Sequence, residues 1–186
     1  MKFIKKQWSN ILFGAFIILM IVPQTRMPIQ VFIQRFISFS PSELDKEDRA
    51  ILKEYDWNLS SLKSEKVNLS QSEGRVTLIN FWATWCPPCV AEMPELQELY
   101  DAYGDKVDFY FITNESPEKV NLFLKKKGYD IPVYLQIEKS PKVLESSSLP
   151  TTYLLSKSGE IVMRKTGAAS WNSDSVHVVL DGLLAN

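Results

Sequence analysis

The chain has 186 residues, of which 45% are hydrophobic and 12% aromatic, enough for one compact domain and an additional segment. Its 21 basic and 22 acidic residues give a net charge of −1, and no segment concentrates lysine and arginine as a nucleic-acid partner would require. The two cysteines, Cys86 and Cys89, lie three positions apart, too close to staple a small secreted fold. They are therefore either a chemical site or half of a metal site.

Residues 1–26 are typical of a membrane-directed segment. Three lysines precede residues 11–22, a run of twelve apolar or small residues without a charge. As a helix this run is about 18 Å long, shorter than the roughly 30 Å of a hydrocarbon core, so a cleaved signal peptide is one alternative. The residues that follow lack a small-x-small cleavage pattern, which favours an uncleaved anchor. The lysines before the run predict a cytoplasmic N-terminus and export of the rest.

Residues 27–56 connect this segment to a folded domain over residues 57–186. Residues 27–39 place Ile29, Phe32, Ile33 and Phe36 at helical spacing. This pattern predicts an amphipathic helix, either at the membrane interface or packed on the domain or a partner. Residues 41–56 are rich in charge, which predicts a spacer helix.

The domain alternates strand and helix patterns. Two short strands are expected within residues 57–69, and the apolar run 76–83 predicts a central strand buried on both faces. A helix is predicted over 87–103, kinked at Pro94 and stopped by Gly104. The later elements are a strand at 107–113, a helix at 117–127, a strand at 131–137, a hairpin of 151–155 with 161–165, and a helix at 173–184. These elements predict a mixed sheet with helices on both faces.

The two cysteines lie between the predicted central strand and helix. A helix N-terminus favours a thiolate, so Cys86 is the predicted nucleophile, and Cys89, one turn further in, is placed to resolve the mixed disulfide. Pro87 and Pro88 have no N–H to offer the thiolate, which leaves the Cys89 N–H nearby. Less thiolate stabilisation favours a reducing couple. A zinc site would need further ligands, and the chain offers only His177 besides these cysteines, so we predict no metal and no cofactor.

The segment INFWATWCPPC resembles thioredoxins, and more closely the membrane-tethered TlpA/ResA-like thiol-disulfide oxidoreductases. The resemblance covers residues 57–186 and implies a thioredoxin-like α/β fold with a central mixed sheet flanked by helices, preceded here by an N-terminal membrane helix. It also implies that Pro150 is a cis proline facing the cysteines. Leu149, Pro150 and Thr151 would then line the substrate groove, together with Trp85 unless Trp85 only packs beside the cysteines.

Glu92 occupies the position at which ResA-like proteins carry an active-site glutamate, while Asn80 replaces the buried aspartate of cytosolic thioredoxins. The resemblance implies that Glu92 accepts or relays the proton of Cys89. The alternative is an ordinary solvated glutamate on the helix surface.

The resemblance implies reduction of disulfides in exported proteins, apocytochrome c being one possible client. The enzyme would act on the extracytoplasmic (periplasmic) side of the cytoplasmic (inner) membrane, held by one N-terminal span. Because that compartment is oxidising, a DsbD/CcdA-type transmembrane protein is the expected electron donor. Two alternatives are a client-binding module without redox turnover and a thiol peroxidase, although Thr84 lies only two residues before Cys86, one fewer than peroxiredoxins require.

Overall fold

The protein alternates strands and helices in its C-terminal two thirds. The computed structural model describes residues 2–185. Met1, in the predicted membrane segment, and Asn186, in the predicted domain, lie outside the described residues. The α-helices are α1 (Lys2–Ile21), α2 (Pro23–Ile37), α3 (Pro87–Tyr103), α4 (Pro117–Lys127) and α5 (Asp174–Ala185). The strands are β1 (Asn58–Ser61), β2 (Lys66–Asn68), β3 (Thr77–Phe81), β4 (Asp108–Thr113), β5 (Val133–Gln136), β6 (Thr151–Leu155) and β7 (Ile161–Thr166).

The strands form one mixed sheet in the order β2-β1-β5-β4-β3-β6-β7. β3, β4 and β5 are parallel, whereas β6 and β7 are antiparallel at one edge and β1 and β2 at the other. β3 pairs with β4 on one side and β6 on the other, and all of its residues are buried. The predicted mixed sheet, buried central strand and C-terminal hairpin are confirmed.

Alternate residues of the central strands face two separate apolar clusters. Leu78 and Phe111 belong to the cluster that contains buried side chains of α3, α4 and α5. Ile79 and Tyr110 belong to the opposite cluster, which is closed by loop and 3-10 residues such as Leu144. The crossovers from β3 to β4 and from β4 to β5 advance in the same direction, so right-handed connections place α3 and α4 on one face. The predicted mixed sheet flanked by helices is confirmed, but in the described chain the α-helices of the domain share one face, and 3-10 helices and loops cover the other.

Helix α3 buries the apolar stripe that the sequence predicts. Its buried side chains include Val90, Met93, Leu96, Leu99 and Tyr103. Gly104 follows the helix with φ −62°, not in the left-handed conformation common after helices. A Cβ at this position would lie 2.7 Å from the carbonyl oxygen of Tyr100, so the close approach of the last turn is what requires glycine.

The N-terminal part of the chain forms two consecutive helices. α1 contains the apolar run, and α2 includes most of the predicted amphipathic segment. α2 contacts α3, while Phe32 and Ile33 of the predicted apolar stripe are exposed. Within residues 2–185, no helix has both the length and the apolar character needed to cross a bilayer.

Residues 38–57, here called the strap, are extended apart from a 3-10 turn at Lys46–Asp48, so the predicted spacer helix is wrong. Two isolated antiparallel bridges, Glu43 with Met163 and Ile51 with Glu160, hold the strap along the β7 edge of the sheet. An edge strand presents unpaired N–H and C=O groups, and the strap satisfies several of them. This pairing outweighs the helical preference of a charged segment.

Arg49 and two apolar side chains fasten the strap. The guanidinium of Arg49 forms ion pairs with Glu43 and with Glu160, the latter at 3.5 Å. Leu52 and Tyr55 are buried in the cluster on the sheet face opposite the helices. Leu52 and Tyr55 are therefore apolar points at which the strap attaches to the domain.

We expect Gly159→Ala to destabilise the protein by loosening the strap. Gly159 has φ +81°, and a Cβ there would lie 2.7 Å from the Leu52 carbonyl oxygen. The left-handed backbone and the collision together should lower the free energy of unfolding by about 3 kcal/mol. Gly74, with φ +80° and open surroundings, is the matched control, and Gly74→Ala should cost only about 1 kcal/mol. Urea unfolding of the full chain measures both; equal losses would contradict a tight contact between strap and hairpin.

Candidate active site

Cys86 and Cys89 lie at the N-terminal end of α3, directly after the loop from β3. They form a disulfide with an S–S distance of 2.08 Å and a Cα–Cα distance of 5.3 Å. Both residues are buried in this form, with 3% and 0% of their surface exposed. Exposure therefore does not distinguish their roles, and the assignment of Cys86 as nucleophile rests on its position at the helix terminus.

The helix terminus supplies one backbone donor to the Cys86 sulfur. Cys86 is the N-cap of α3, and its Sγ accepts a hydrogen bond from the Cys89 N–H at 3.3 Å. Pro87 and Pro88 occupy the first two helical positions. The local geometry predicted from the two prolines is thus observed, and it limits backbone stabilisation of a Cys86 thiolate.

Glu92 is buried beneath the cysteines, so the alternative of a solvated glutamate is wrong. It lies one turn after Cys89 on α3 and is 2% exposed. Its Oε1 accepts a hydrogen bond from Asn80 Nδ2 at 2.9 Å, and its Oε2 accepts one from the Ala169 N–H at 3.2 Å. The carboxyl group is therefore held by β3 on one side and by the loop before α5 on the other.

Burial raises the pKa of Glu92 to about 8, although hydrogen bonds from Asn80 and Ala169 partly oppose the shift. A carboxyl group with this pKa is mostly protonated at neutral pH in the disulfide form. It can both take up and release a proton within the working range of a thiol, which is the property required of an acid-base group here.

Asn80 links Glu92 to the strand that follows Pro150. Its Nδ2 also donates to the Thr152 hydroxyl at 2.7 Å, and the two residues are register partners across β3 and β6. The Leu149–Pro150 peptide bond is cis, as the resemblance implies. Because Thr151 pairs with Phe81 at the end of β3, Pro150 lies beside the start of the cysteine loop.

The predicted groove residues have different surroundings. Trp85 is 61% exposed and Leu149 37%, and both line a cleft of about 190 Å³ together with Glu115. Pro150 and Thr151 are buried, and neither lines this cleft. The Thr151 hydroxyl donates to the Ser148 carbonyl oxygen at 2.8 Å, so it supports the proline turn.

Two contacts of the site were not predicted from the sequence. Glu115 accepts hydrogen bonds from the backbone N–H and the hydroxyl of Thr84, at 2.5 and 3.0 Å. A sequence signal for it existed, because Glu115 follows β4 and the carboxyl ends of parallel neighbours such as β3 and β4 meet at one edge. Ala169 contributes only its N–H, which no side-chain pattern reveals.

His177 lies on α5, as predicted for a helix-face residue. Its Nε2 is 2.7 Å from Asn172 Oδ1, and its ring meets the Tyr103 ring edge-on with centroids 5.4 Å apart. No group of three or more histidine, cysteine or acidic side chains suited to a metal ion occurs in the described part of the chain.

We expect Glu92→Gln to flatten the pH dependence of stability. Between the unfolded value of 4.5 and about 8, the folded oxidised chain holds one more proton at Glu92 than the unfolded chain does. The free energy of unfolding should therefore fall as pH rises, by at most about 1.4 kcal/mol per pH unit from this group, and level off above pH 8. Glutamine stays neutral at every pH, so Glu92→Gln should abolish this fall in the free energy of unfolding.

Urea unfolding of the oxidised protein from pH 5 to 9 measures the effect. Glu118, exposed on α4, provides the control, and Glu118→Gln should keep the wild-type slope. Parallel profiles for wild type and Glu92→Gln would contradict a buried neutral carboxyl.

Comparisons with known proteins agree with this geometry. The Redoxin family model matches residues 50–180. Thiol-disulfide oxidoreductase ResA of Halalkalibacterium halodurans is 36% identical over 114 residues, which cover 59% of this chain and 64% of that protein. ResA of Bacillus cereus is 35% identical over 129 residues, covering 66% and 73%. The crystal structure of StoA from Bacillus subtilis matches with a TM-score of 0.51 and 28% identity, covering 60% of this chain and 87% of StoA. The chain therefore belongs to the Redoxin family, as a TlpA/ResA-like member of the thioredoxin superfamily with a thioredoxin-like α/β fold.

Proposed function

We propose that the protein is a thiol-disulfide oxidoreductase that reduces disulfides of exported proteins. The observation that carries this proposal is the Cys86–Cys89 disulfide at the N-terminus of α3. Helix termini lower the pKa of a cysteine thiol and make it a nucleophile. The names of the ResA relatives support the same activity.

Reduction of a client proceeds in two exchanges. The Cys86 thiolate attacks one sulfur of the client disulfide, forms a mixed disulfide and expels the other client sulfur as a thiolate. The Cys89 thiolate then attacks Cys86 Sγ and expels the second client sulfur. Two electrons pass to the client, which takes up two protons, and the Cys86–Cys89 disulfide is left behind.

Glu92 is the proposed proton acceptor for Cys89. The Cys89 residue is fully buried, so its thiol cannot lose a proton directly to water. Glu92 is three positions further along α3 and therefore on the same side of the helix. Its pKa of about 8 lies close to the ordinary value of a thiol, about 8.5, so proton transfer between the two groups costs little.

The proposed docking surface for the client is the cleft that Trp85 and Leu149 line, supported from beneath by the buried Pro150 and Thr151. The exposed side chains of Trp85 and Leu149 supply apolar contact area beside the cysteines. Pro150 and Thr151 hold the turn that presents Leu149. Apocytochrome c is one proposed client, as the resemblance of the motif to TlpA/ResA-like proteins implies.

The proposed direction is reduction. Because Pro87 and Pro88 leave the Cys89 N–H as the backbone donor at the helix terminus, the reduced form gains less thiolate stabilisation than in a strong oxidant. In an oxidising compartment the Cys86–Cys89 pair would stay oxidised unless it were reduced again after each reaction. A DsbD/CcdA-type transmembrane dithiol protein is therefore the proposed electron donor.

The proposed location is the extracytoplasmic (periplasmic) face of the cytoplasmic (inner) membrane, with residues 1–26 as a single-pass anchor. Exposed apolar side chains along α1 support membrane attachment; they include Ile11, Leu12, Phe13, Phe16 and Ile21. α2 contacts α3 and shares a cleft with Pro87 and Pro88, which supports an active site close to the anchor and to a membrane-bound donor.

We expect Cys86→Ser to reduce insulin no faster than buffer with dithiothreitol alone, because the remaining sulfur, that of Cys89, lies one turn inside the helix and is fully buried. Cys89→Ser is the matched variant one turn away. It should attack insulin once and accumulate a mixed disulfide visible on a non-reducing gel, which Cys86→Ser should not form. For the wild type, titration against dithiothreitol should give a potential near the roughly −270 mV of thioredoxin rather than the roughly −120 mV of DsbA. Insulin reduction by Cys86→Ser, or an oxidant-like potential, would contradict the proposal.

We expect the full chain to sediment with membranes and to resist extraction by carbonate. Phe13→Asp with Phe16→Asp places two charges in the apolar run, at a cost of about 2.5–3.5 kcal/mol each in a bilayer centre, and should release the protein. Phe32→Asp on α2 is the control and should leave the protein membrane-bound. Immunoblotting of fractions and the mass of the mature protein measure the outcome, and a shortened soluble wild type would identify a cleaved signal instead.

A further inference from the structure

The loop that carries the reactive cysteine is held by a carboxylate from outside the motif. Glu115 lies between β4 and α4, and its two oxygens accept hydrogen bonds from the N–H and the hydroxyl of Thr84, at 2.5 and 3.0 Å. Lys119, in the first turn of α4, forms an ion pair with the same carboxylate. Three donors converge on one side chain, which is only 10% exposed.

Thr84 is placed so that this contact controls the cysteine loop. It lies two residues before Cys86, and the Cys86 N–H donates to the Ala83 carbonyl oxygen at 3.2 Å, closing a turn around it. Trp85, within that turn, is largely exposed and gains little packing from the core. Ala83 and Cys86 fix the two ends of the turn in the core, and the hydrogen bonds from Thr84 to Glu115 hold the segment between them.

The charge of Glu115 strengthens these hydrogen bonds. Partial burial acts to raise the pKa of its carboxyl, but the hydrogen bonds from Lys119 and Thr84 outweigh burial, so the pKa lies below its ordinary value. The group is ionised at neutral pH. Hydrogen bonds to an ionised acceptor are roughly twice as strong as those between neutral groups.

The held loop also forms one wall of the proposed client cleft, which Glu115, Trp85 and Leu149 line together. A protein disulfide must align with the Cys86 sulfur while its chain contacts this cleft, and small errors in alignment slow a reaction strongly. We propose that Glu115 is a positioning residue, which by holding Thr84 fixes Trp85 and Cys86 for attack on a protein disulfide. The inference rests on the proposed exchange reaction at Cys86.

Glu115→Gln tests the inference in the full chain. The amide nitrogen of glutamine must face one of the three donors, so at least one contact is lost. We expect kcat/KM for insulin reduction to fall about tenfold. The rate of Cys86 alkylation by iodoacetamide, which needs no docking, should stay within about twofold of wild type. Glu118, exposed three residues further on, provides the control, and Glu118→Gln should leave both rates unchanged.

Variants at Thr84 separate positioning from general stability. Thr84→Ser keeps the hydroxyl and should retain the wild-type kcat/KM, whereas Thr84→Val should lose part of it. Combined with Glu115→Gln, Thr84→Val should cause less than the sum of the two single losses, because both changes weaken the same Thr84–Glu115 interaction. An unchanged kcat/KM in Glu115→Gln, or equal falls in reduction and alkylation, would overturn the positioning role. Absence of insulin reduction by the wild type would overturn the proposed function itself, and this inference with it.

Discussion

The junction between β3 and α3 is the constraint on which the disulfide site depends. β3 is buried along its length and paired on both sides, so the point at which it ends is fixed by the sheet. α3 is fixed in turn by its apolar stripe on the sheet face. The short loop between them has little freedom, and Cys86 consequently becomes the N-cap of the helix. A strand and a helix that pack independently thus bring one sulfur to a helix terminus, where exchange chemistry is favoured.

The core also accommodates the buried carboxyl group of Glu92, the proposed proton acceptor. An ionised carboxylate in this position would be strongly unfavourable, whereas a neutral one with hydrogen bonds to Asn80 and Ala169 costs far less. The site therefore keeps the carboxyl mostly protonated in the disulfide form. Because its two partners belong to β3 and to the loop before α5, the carboxyl also joins two elements that are distant in the chain.

The sequence predicts the parts of the fold that local pattern determines. The apolar run of β3, the stripe of α3 and the glycine turn between β6 and β7 each carry their own periodicity or turn chemistry. The strap carries no such local pattern, because its extended conformation is imposed by pairing with the β7 edge. That the α-helices of the domain share one face of the sheet was not predicted for a similar reason, since the face of α4 depends on where β5 joins the sheet. Within the site, the cysteines and Glu92 follow from motif and resemblance, whereas the contact of Glu115 with Thr84 exists only after β3 and β4 have paired.

Two glutamates beside the cysteine motif acquire opposite properties from their surroundings. Glu92 is enclosed by apolar groups and meets only neutral donors, so its pKa rises and it can exchange a proton near neutral pH. Glu115 meets a lysine as well as Thr84, so its pKa falls and it remains a fixed negative charge. A proton acceptor must change its charge during the reaction, and an anchor for a loop must not. The environment of each carboxyl, rather than its residue type, therefore separates the proposed chemical role from the proposed positioning role.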